Sequence, residues 1–210
     1  VTRLILASAS PARREVLRSA GIDPIVRVSA VDEDAVAAAL PEDTPPRAVV
    51  VELARAKAAA VAADIPELAA DCVVVACDSM LLVDGELQGK PHTAEVARAR
   101  WGDMAGRSAD LVTGHCVVRM RDGRITAEAV DCSSTTVHFA KPEPDELDAY
   151  IATGEPLEVA GAFTLDGLGG WFVDRIDGDP SSVIGIGLPL LRRLLGDVGI
   201  SVTQLWGHTA

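Results

Sequence analysis

The chain has 210 residues, 31 acidic and 19 basic, for a formal net charge of −12; 49% are hydrophobic and 3% aromatic. That apolar content builds one sizeable core, or two lobes sharing one, and excludes a disordered chain. The acidic surface repels nucleic acid and anionic membranes, and so few aromatic rings disfavour a stacking platform for single strands.

Leu4-Ile5-Leu6-Ala7 is too short for a helix and reads as a strand. Ser10 then suits an N-cap and Pro11 a first helical position, with Val16, Leu17 and Ala20 as the apolar stripe and Gly21 as the stop. Residues 25–28 read as a second strand running into Asp32-Glu33-Asp34, and the proline-rich 41–47 as a loop. A long helix is expected over about 47–63, with Val50, Leu53, Lys57, Ala60 and Val61 on one face. Cys72 to Ala76 reads as a buried strand ending at Cys77-Asp78-Ser79, followed by a hairpin of 80–83 and 86–87 around Asp84-Gly85. Thr93 caps a helix over 94–104; 111–120 and 125–139 form a second hairpin around Asp122-Gly123. A further helix ends near Gly154, strands are expected near 162–165 and 170–176, and a last helix runs over 188–196. This mixture predicts an α/β fold, two lobes at most, and no separable domain within 1–210.

Four cysteines, Cys72, Cys77, Cys116 and Cys132, lack CxxC spacing and read as buried free thiols of a reducing cytosol. No basic leader opens the chain, and no run approaches the roughly 18 apolar residues of a membrane span, so a cytoplasmic protein is expected.

Several constellations can carry chemistry. Ser8-Ala9-Ser10-Pro11-Ala12-Arg13-Arg14 leads a strand end into a helix N-terminus, where free N–H groups attract an anion. Arg13 and Arg14 are unfavourable in a first turn unless an anion joins them; the alternative is two exposed arginines pairing with Glu15 or Asp23. Lys57 shares the apolar stripe of its helix, so it snorkels outward or meets a negative partner. Asp78 follows a buried strand directly, a place where carboxylates face ligands in open α/β sheets; the alternative is a turn aspartate. Asp32 and Glu33 could supply oxygens to a hard cation. Gly89-Lys90-Pro91 lacks the spacing of a phosphate-binding P-loop, and Gly167-Leu168-Gly169-Gly170 lacks the dinucleotide spacing. The histidines His92, His115, His138 and His208 show no paired metal-ligand spacing, and surface or structural roles are their default.

Taken in order, these segments resemble the Maf proteins, a family of nucleoside triphosphate pyrophosphatases. Leu4 to Arg14 with Leu17 resembles the family's opening signature, Val31-Asp32-Glu33 its acidic segment, and Leu53 to Ala58 its central helix. Cys77-Asp78-Ser79 with Gly89-Lys90-Pro91 resembles its core. Glu155-Pro156 with Ala160 to Phe163, and Asp177 to Val183 with Gly187 to Leu190, resemble its closing motifs. The Cys77 to Met80 and Thr164 to Phe172 runs are most similar to the actinobacterial branch.

The resemblance implies a mixed twisted sheet flanked by helices, with two lobes around a deep cleft, as in inosine triphosphatases. It also implies hydrolysis of a nucleoside triphosphate to monophosphate and pyrophosphate, with a divalent metal, Mg²⁺ or Mn²⁺. Asp78 aligns with the family's proposed general base, and Ser8, Arg13, Glu33, Lys57 and Lys90 align with its cleft residues. Three positions depart from the branch acting on dTTP and UTP: Ala12 stands where it has Arg, Ser79 where it has Thr, and Asp166 where Gln or Glu is usual. With the first-helix serines and arginines, these positions would touch substrate. Glu33 and Asp78 would hold the metal, and Arg13, Lys57 and Lys90 would meet the phosphates. The partner expected is the nucleotide, with no nucleic acid or membrane; a homodimer is compatible. The alternative readings are a nucleotide-binding regulator of septum formation without turnover, and a structural module.

Overall fold

A computed structural model describes residues 2–65 and 70–207. The elements in chain order are β1 (Arg3–Ala7), α1 (Pro11–Ser19), β2 (Ile25–Arg27), α2 (Glu33–Ala38), α3 (Pro46–Ala63), β3 (Asp71–Val83), β4 (Glu86–Gln88), α4 (Ala94–Met104), β5 (Ser108–Arg121), β6 (Arg124–Phe139), α5 (Pro144–Ala152), β7 (Val173–Asp177), α6 (Pro180–Ile184) and α7 (Leu188–Asp197). The strands form a mixed seven-stranded sheet in the order β2-β1-β3-β5-β6-β7, with β4 paired on β3. Two compact units share the chain: one comprises residues 1–78, 113–133 and 185–210, the other 79–112 and 134–184. The boundaries fall inside β3, β5 and β6.

In the first unit, β1 pairs in parallel with β2 and with β3, Leu4 opposite Val73 and Leu6 opposite Val75. Alternation sorts the side chains to two faces. Leu4, Leu6, Val73, Val75, Cys77 and Val117 pack with Leu17 of α1 and Leu191, Leu194 and Leu195 of α7. Ile5, Ala7, Val74, Ala76, Cys116 and Val118 pack with Ala54, Ala58 and Val61 of α3. Gly114 lets α3 approach β5: a Cβ there would lie 2.2 Å from the Val50 carbonyl oxygen.

The second unit is built around Trp101, fully buried in α4. Phe139, Tyr150 and Phe172 meet its ring edge-on, with centroids 5.6, 6.2 and 6.0 Å away. Its indole N–H donates to the Ala162 carbonyl at 2.8 Å.

The structure departs from the sequence reading at five places. Residues 71–83 are one strand rather than two, so Asp78 lies inside β3 and not at its end. No strand forms over 162–165: Gly161 and Ala162 take φ of +72° and +59°, a turn that aims the Ala162 carbonyl at Trp101. Residues 168–172 are a short 3-10 helix, and only 173–177 are strand. Helices α2 and α6 were not anticipated.

Candidate active site

Asp78 belongs to the even-numbered face of β3, the face that α3 covers, and Lys57 points from α3 toward it. The Lys57 ammonium lies 2.6 Å from Asp78 Oδ1 and 2.9 Å from Glu33 Oε1. Both members of the central pair are buried, whereas the Glu33 side chain is 50% exposed. Lys57 therefore does not snorkel; it meets two negative partners. Glu33 reaches it from the first turn of α2, a helix begun by Asp32, whose carboxylate accepts from the Ala35 N–H at 3.0 Å. Asp32 is thus engaged in capping.

The second carboxylate oxygen of Asp78, Oδ2, is buried without a hydrogen-bond partner. Leaving a carboxylate oxygen so costs about 1–3 kcal/mol, recovered when a donor or cation reaches it. Burial pushes the Asp78 carboxyl above the usual carboxylate range, with Lys57 and then Arg13 opposing and Glu33 adding to the rise. Extending the β1–β3 register, Ala7 falls opposite Ala76, so Asp78 sits just beyond the C-terminal end of β1. In open α/β sheets this is where ligands bind.

On the adjoining end of β1, Ser8 is buried and its hydroxyl accepts from the Ser10 N–H at 3.1 Å and from Arg13 Nη1 at 3.2 Å. Ser10 caps α1, accepting from the Arg13 N–H. Arg13 Nε donates to the Gly185 carbonyl at 2.8 Å. Gly185 has a φ of +134°, a conformation L side chains rarely adopt, and a Cβ on it would lie 3.2 Å from Arg13 Cγ. The guanidinium is thereby fixed beside the N-terminus of α1. Ala12 is half-buried and Arg14 exposed. Asp23 pairs with Arg18 rather than with either expected arginine. Gly185 is a partner that sequence reading missed; it lies 172 residues from Arg13, and no local signal connects them.

Lys90, Ser79 and Asp166 belong to the second unit. Lys90 is half exposed, 3.8 Å from Glu158. Ser79 is half-buried and follows Asp78 in β3. Asp166 is exposed on a loop that Glu155 organises: its carboxylate accepts from Thr164 Oγ1 and from the N–H groups of Leu168 and Gly169, each at 3.1 Å. Burial raises the Glu155 carboxyl, but these donors outweigh it and hold the group below its usual range. No helix among the described residues is long and apolar enough to cross a membrane. Cys72, Cys77 and Cys116 are buried and Cys132 partly so, all as free thiols; burial pushes Cys77 and Cys116 up to about 12. His208 lies outside the described residues.

Among the described residues no group of three or more His, Cys, Asp or Glu side chains could hold a metal unaided. Two carboxylates, one with an unpartnered oxygen, fit a hard divalent cation that takes its remaining ligands from phosphate and water.

A sequence model described as Maf-like protein matches residues 3–198. The nucleoside triphosphate pyrophosphatase of Nocardia farcinica is 84% identical over 207 residues, covering 99% of this chain and 98% of its own. That of Rhodococcus jostii is 66% identical, covering 100% and 98%, and that of Mycolicibacterium vanbaalenii 60%, covering 98% and 99%. The solved structure of the Staphylococcus aureus Ham1 protein matches 98% of this chain at 15% identity and a TM-score of 0.44, a distance at which nothing about the site carries over. Matched along nearly its whole length by the family's sequence model and by these relatives, the chain belongs to the Maf family.

Proposed function

We propose that this protein hydrolyses nucleoside triphosphates to the monophosphate and pyrophosphate, the activity in the names of its relatives, with Asp78 as general base. The observation that carries the assignment is the buried Asp78 carboxylate, held by Lys57 at 2.6 Å with its other oxygen unpartnered. A carboxyl raised above its usual range is a better proton acceptor near physiological pH than an ordinary one. In this reading the Asp78 carboxylate takes the proton of a water molecule as the water oxygen bonds to the α-phosphorus. The bond from the α-phosphorus to the bridging oxygen then breaks, and pyrophosphate departs. Lys57 holds Asp78 in place, while Arg13 and the α1 N-terminus orient phosphate oxygens.

Mg²⁺ or Mn²⁺, held by Glu33 and Asp78, would neutralise phosphate charge. Lys90 is assigned to the leaving pyrophosphate. Ala12, Ser79 and Asp166 are assigned to the base, with Ser8, Ser10 and Arg14 around the phosphates. Free thiols fit a reducing compartment, so the cytoplasm is the proposed location. A homodimer is compatible with this reading.

Pyrophosphate release from a nucleotide panel, with each cation and with Asp78→Asn as control, tests the reading. Turnover by the wild-type protein, lost in the variant, supports it. Binding without release would make the protein a nucleotide sensor instead.

A further inference from the structure

His115 is fully buried on β5 in the first unit, and the reaction outlined above does not use it. Its neighbours Cys116 and Val118 alternate between faces with Val117, which places His115 on the side of α7. Both ring nitrogens are engaged. Nδ1 lies 3.0 Å from the Thr113 carbonyl, and Nε2 lies 2.9 Å from the Gly187 backbone nitrogen. A carbonyl only accepts and a backbone N–H only donates, so the tautomer follows without ambiguity: Nδ1 carries the proton and Nε2 accepts.

Gly187 is the N-cap residue of α7. Two residues before it, the Gly185 carbonyl receives Arg13 Nε, and between them Ile186 is fully buried. The segment from 185 to 187 is thus pinned at one end by His115 and presents at the other the carbonyl that fixes the guanidinium. Gly185 is itself in a glycine-only conformation, so its carbonyl direction depends on what holds its neighbours.

We infer that His115 is a positioning residue: through the Gly187 N–H it sets the Gly185 carbonyl, and so places Arg13 for the triphosphate. The inference rests on reading the Arg13 site as a phosphate site. The two hydrogen bonds are unequal in consequence. The Thr113 carbonyl also receives Ser133 Oγ at 3.4 Å, which cushions loss of the Nδ1 donor. Two near-isosteric replacements separate them. In His115→Gln an amide oxygen can stand where Nε2 accepts from Gly187. In His115→Asn the amide can serve Thr113 but leaves the Gly187 N–H unpaired.

The first measurement is on the wild-type protein and needs no variant. Long-range proton–nitrogen NMR should show His115 with a protonated Nδ1 and a bare Nε2; the opposite tautomer overturns the inference. The second compares both variants by KM, kcat and the inhibition constant of inorganic tripolyphosphate, beside hydrogen exchange of the Gly187 amide. His115→Asn should raise KM and weaken tripolyphosphate about five- to tenfold, with kcat within about twofold and faster Gly187 exchange. His115→Gln should stay within about twofold on every measure. Equal behaviour of the two variants, or a loss of active fraction at unchanged KM, means a merely structural histidine and overturns the inference. Should wild-type protein release no pyrophosphate, the proposed function fails, while the tautomer and the tripolyphosphate comparison still decide the role of His115.

Discussion

Lys57→Met tests the central pair most directly. Methionine keeps the unbranched stem and nearly the same helix propensity, so the change reads electrostatics and not the helix. The ammonium sits 2.6 Å from Asp78 Oδ1, and both side chains are less than a tenth exposed. At that separation and an effective dielectric near 20, the attraction is about 6 kcal/mol, offset in part by desolvating both groups. Removing one partner of such a pair costs about 3–5 kcal/mol. In a chain of this size that lowers Tm by roughly 6–20 °C. The loss has a defined pH dependence. Without Lys57, the folded-state pKa of Asp78 rises further above its unfolded value. Such a group contributes fully below the unfolded pKa, and that contribution is lost as pH rises through the folded pKa. The variant should therefore be most destabilised at neutral and higher pH and recover toward pH 4–5, near the unfolded carboxylate pKa of about 3.9. Adding Asp78→Asn removes the uncompensated charge, so the double variant should regain most of the lost Tm while remaining inactive. Urea titrations at several pH values and pyrophosphate assays suffice. A Tm within 2 °C of wild type for Lys57→Met at pH 7.5 would refute the buried pair. A double variant above a tenth of wild-type rate would refute Asp78 as the base.

The acid limb of kcat/KM should lie above the ordinary carboxylate range, because burial raises Asp78 and the base is lost as pH falls through that raised value; a limb near pH 4 would contradict this. Gly114→Ala should cost about 3 kcal/mol or more, since its Cβ would meet backbone atoms of Val50 and Val51 and push α3 away, and kcat should fall with the displacement of Lys57; denaturant melts and kinetics check both. Glu155→Gln should destabilise by about 1–2 kcal/mol at neutral pH by weakening the bonds that hold the 164–169 loop. Glu155 is depressed in the folded state, so the difference from wild type should be present above pH ~4.3 and vanish as pH falls through the folded pKa. Base selectivity should be broad, within about 10–100-fold across common nucleotides, because Ala12 offers no guanidinium to pair with a base edge; a preference above a thousandfold for dTTP and UTP would place the selectivity elsewhere.

Strands and helices with their own local signals were legible in the sequence. Ser10 with Pro11 announced α1, and the apolar period of α3 put Lys57 on its buried face. Helix α2 was not, because it is six residues long and buries none of them, so it carries no stripe to read. The Cys77-Asp78-Ser79 step reads as a strand end only if the aspartate is unpaired. Its partner lies 21 residues upstream, and with that charge balanced β3 runs straight through. The Ala-Phe-Thr-Leu run at 162–165 looks like a strand by composition, but Ala162 at its start is in a turn whose carbonyl accepts from Trp101, 61 residues away. The candidate site was visible as residue types and resemblance; the contacts of Gly185 with Arg13 and of Gly187 with His115 are long-range and leave no local trace.

The geometry also redistributes the charges assigned from sequence. Lys57 is shared between Asp78 and Glu33, so one positive charge faces two negative ones and the cluster carries a formal net −1. On a protein of net charge −12, that cluster alone repels a triphosphate. Attraction falls to Arg13, fixed by Gly185 and Ser8, to the α1 N-terminus that Ser10 caps, to Arg14 and Lys90 as assigned above, and to any cation the two carboxylates accept. A divalent ion on Glu33 and Asp78 would turn −1 into +1 at the place where the α-phosphate must sit. Lys57 would remain what its distances make it, the group that keeps a buried carboxylate charged and aimed. On this argument a chelator should weaken triphosphate binding itself and not only turnover. Lys57→Met leaves that ion in place but takes one positive charge from the cluster, where the chelator takes two, so it should weaken triphosphate binding less than the chelator does while lowering the rate through a misplaced Asp78.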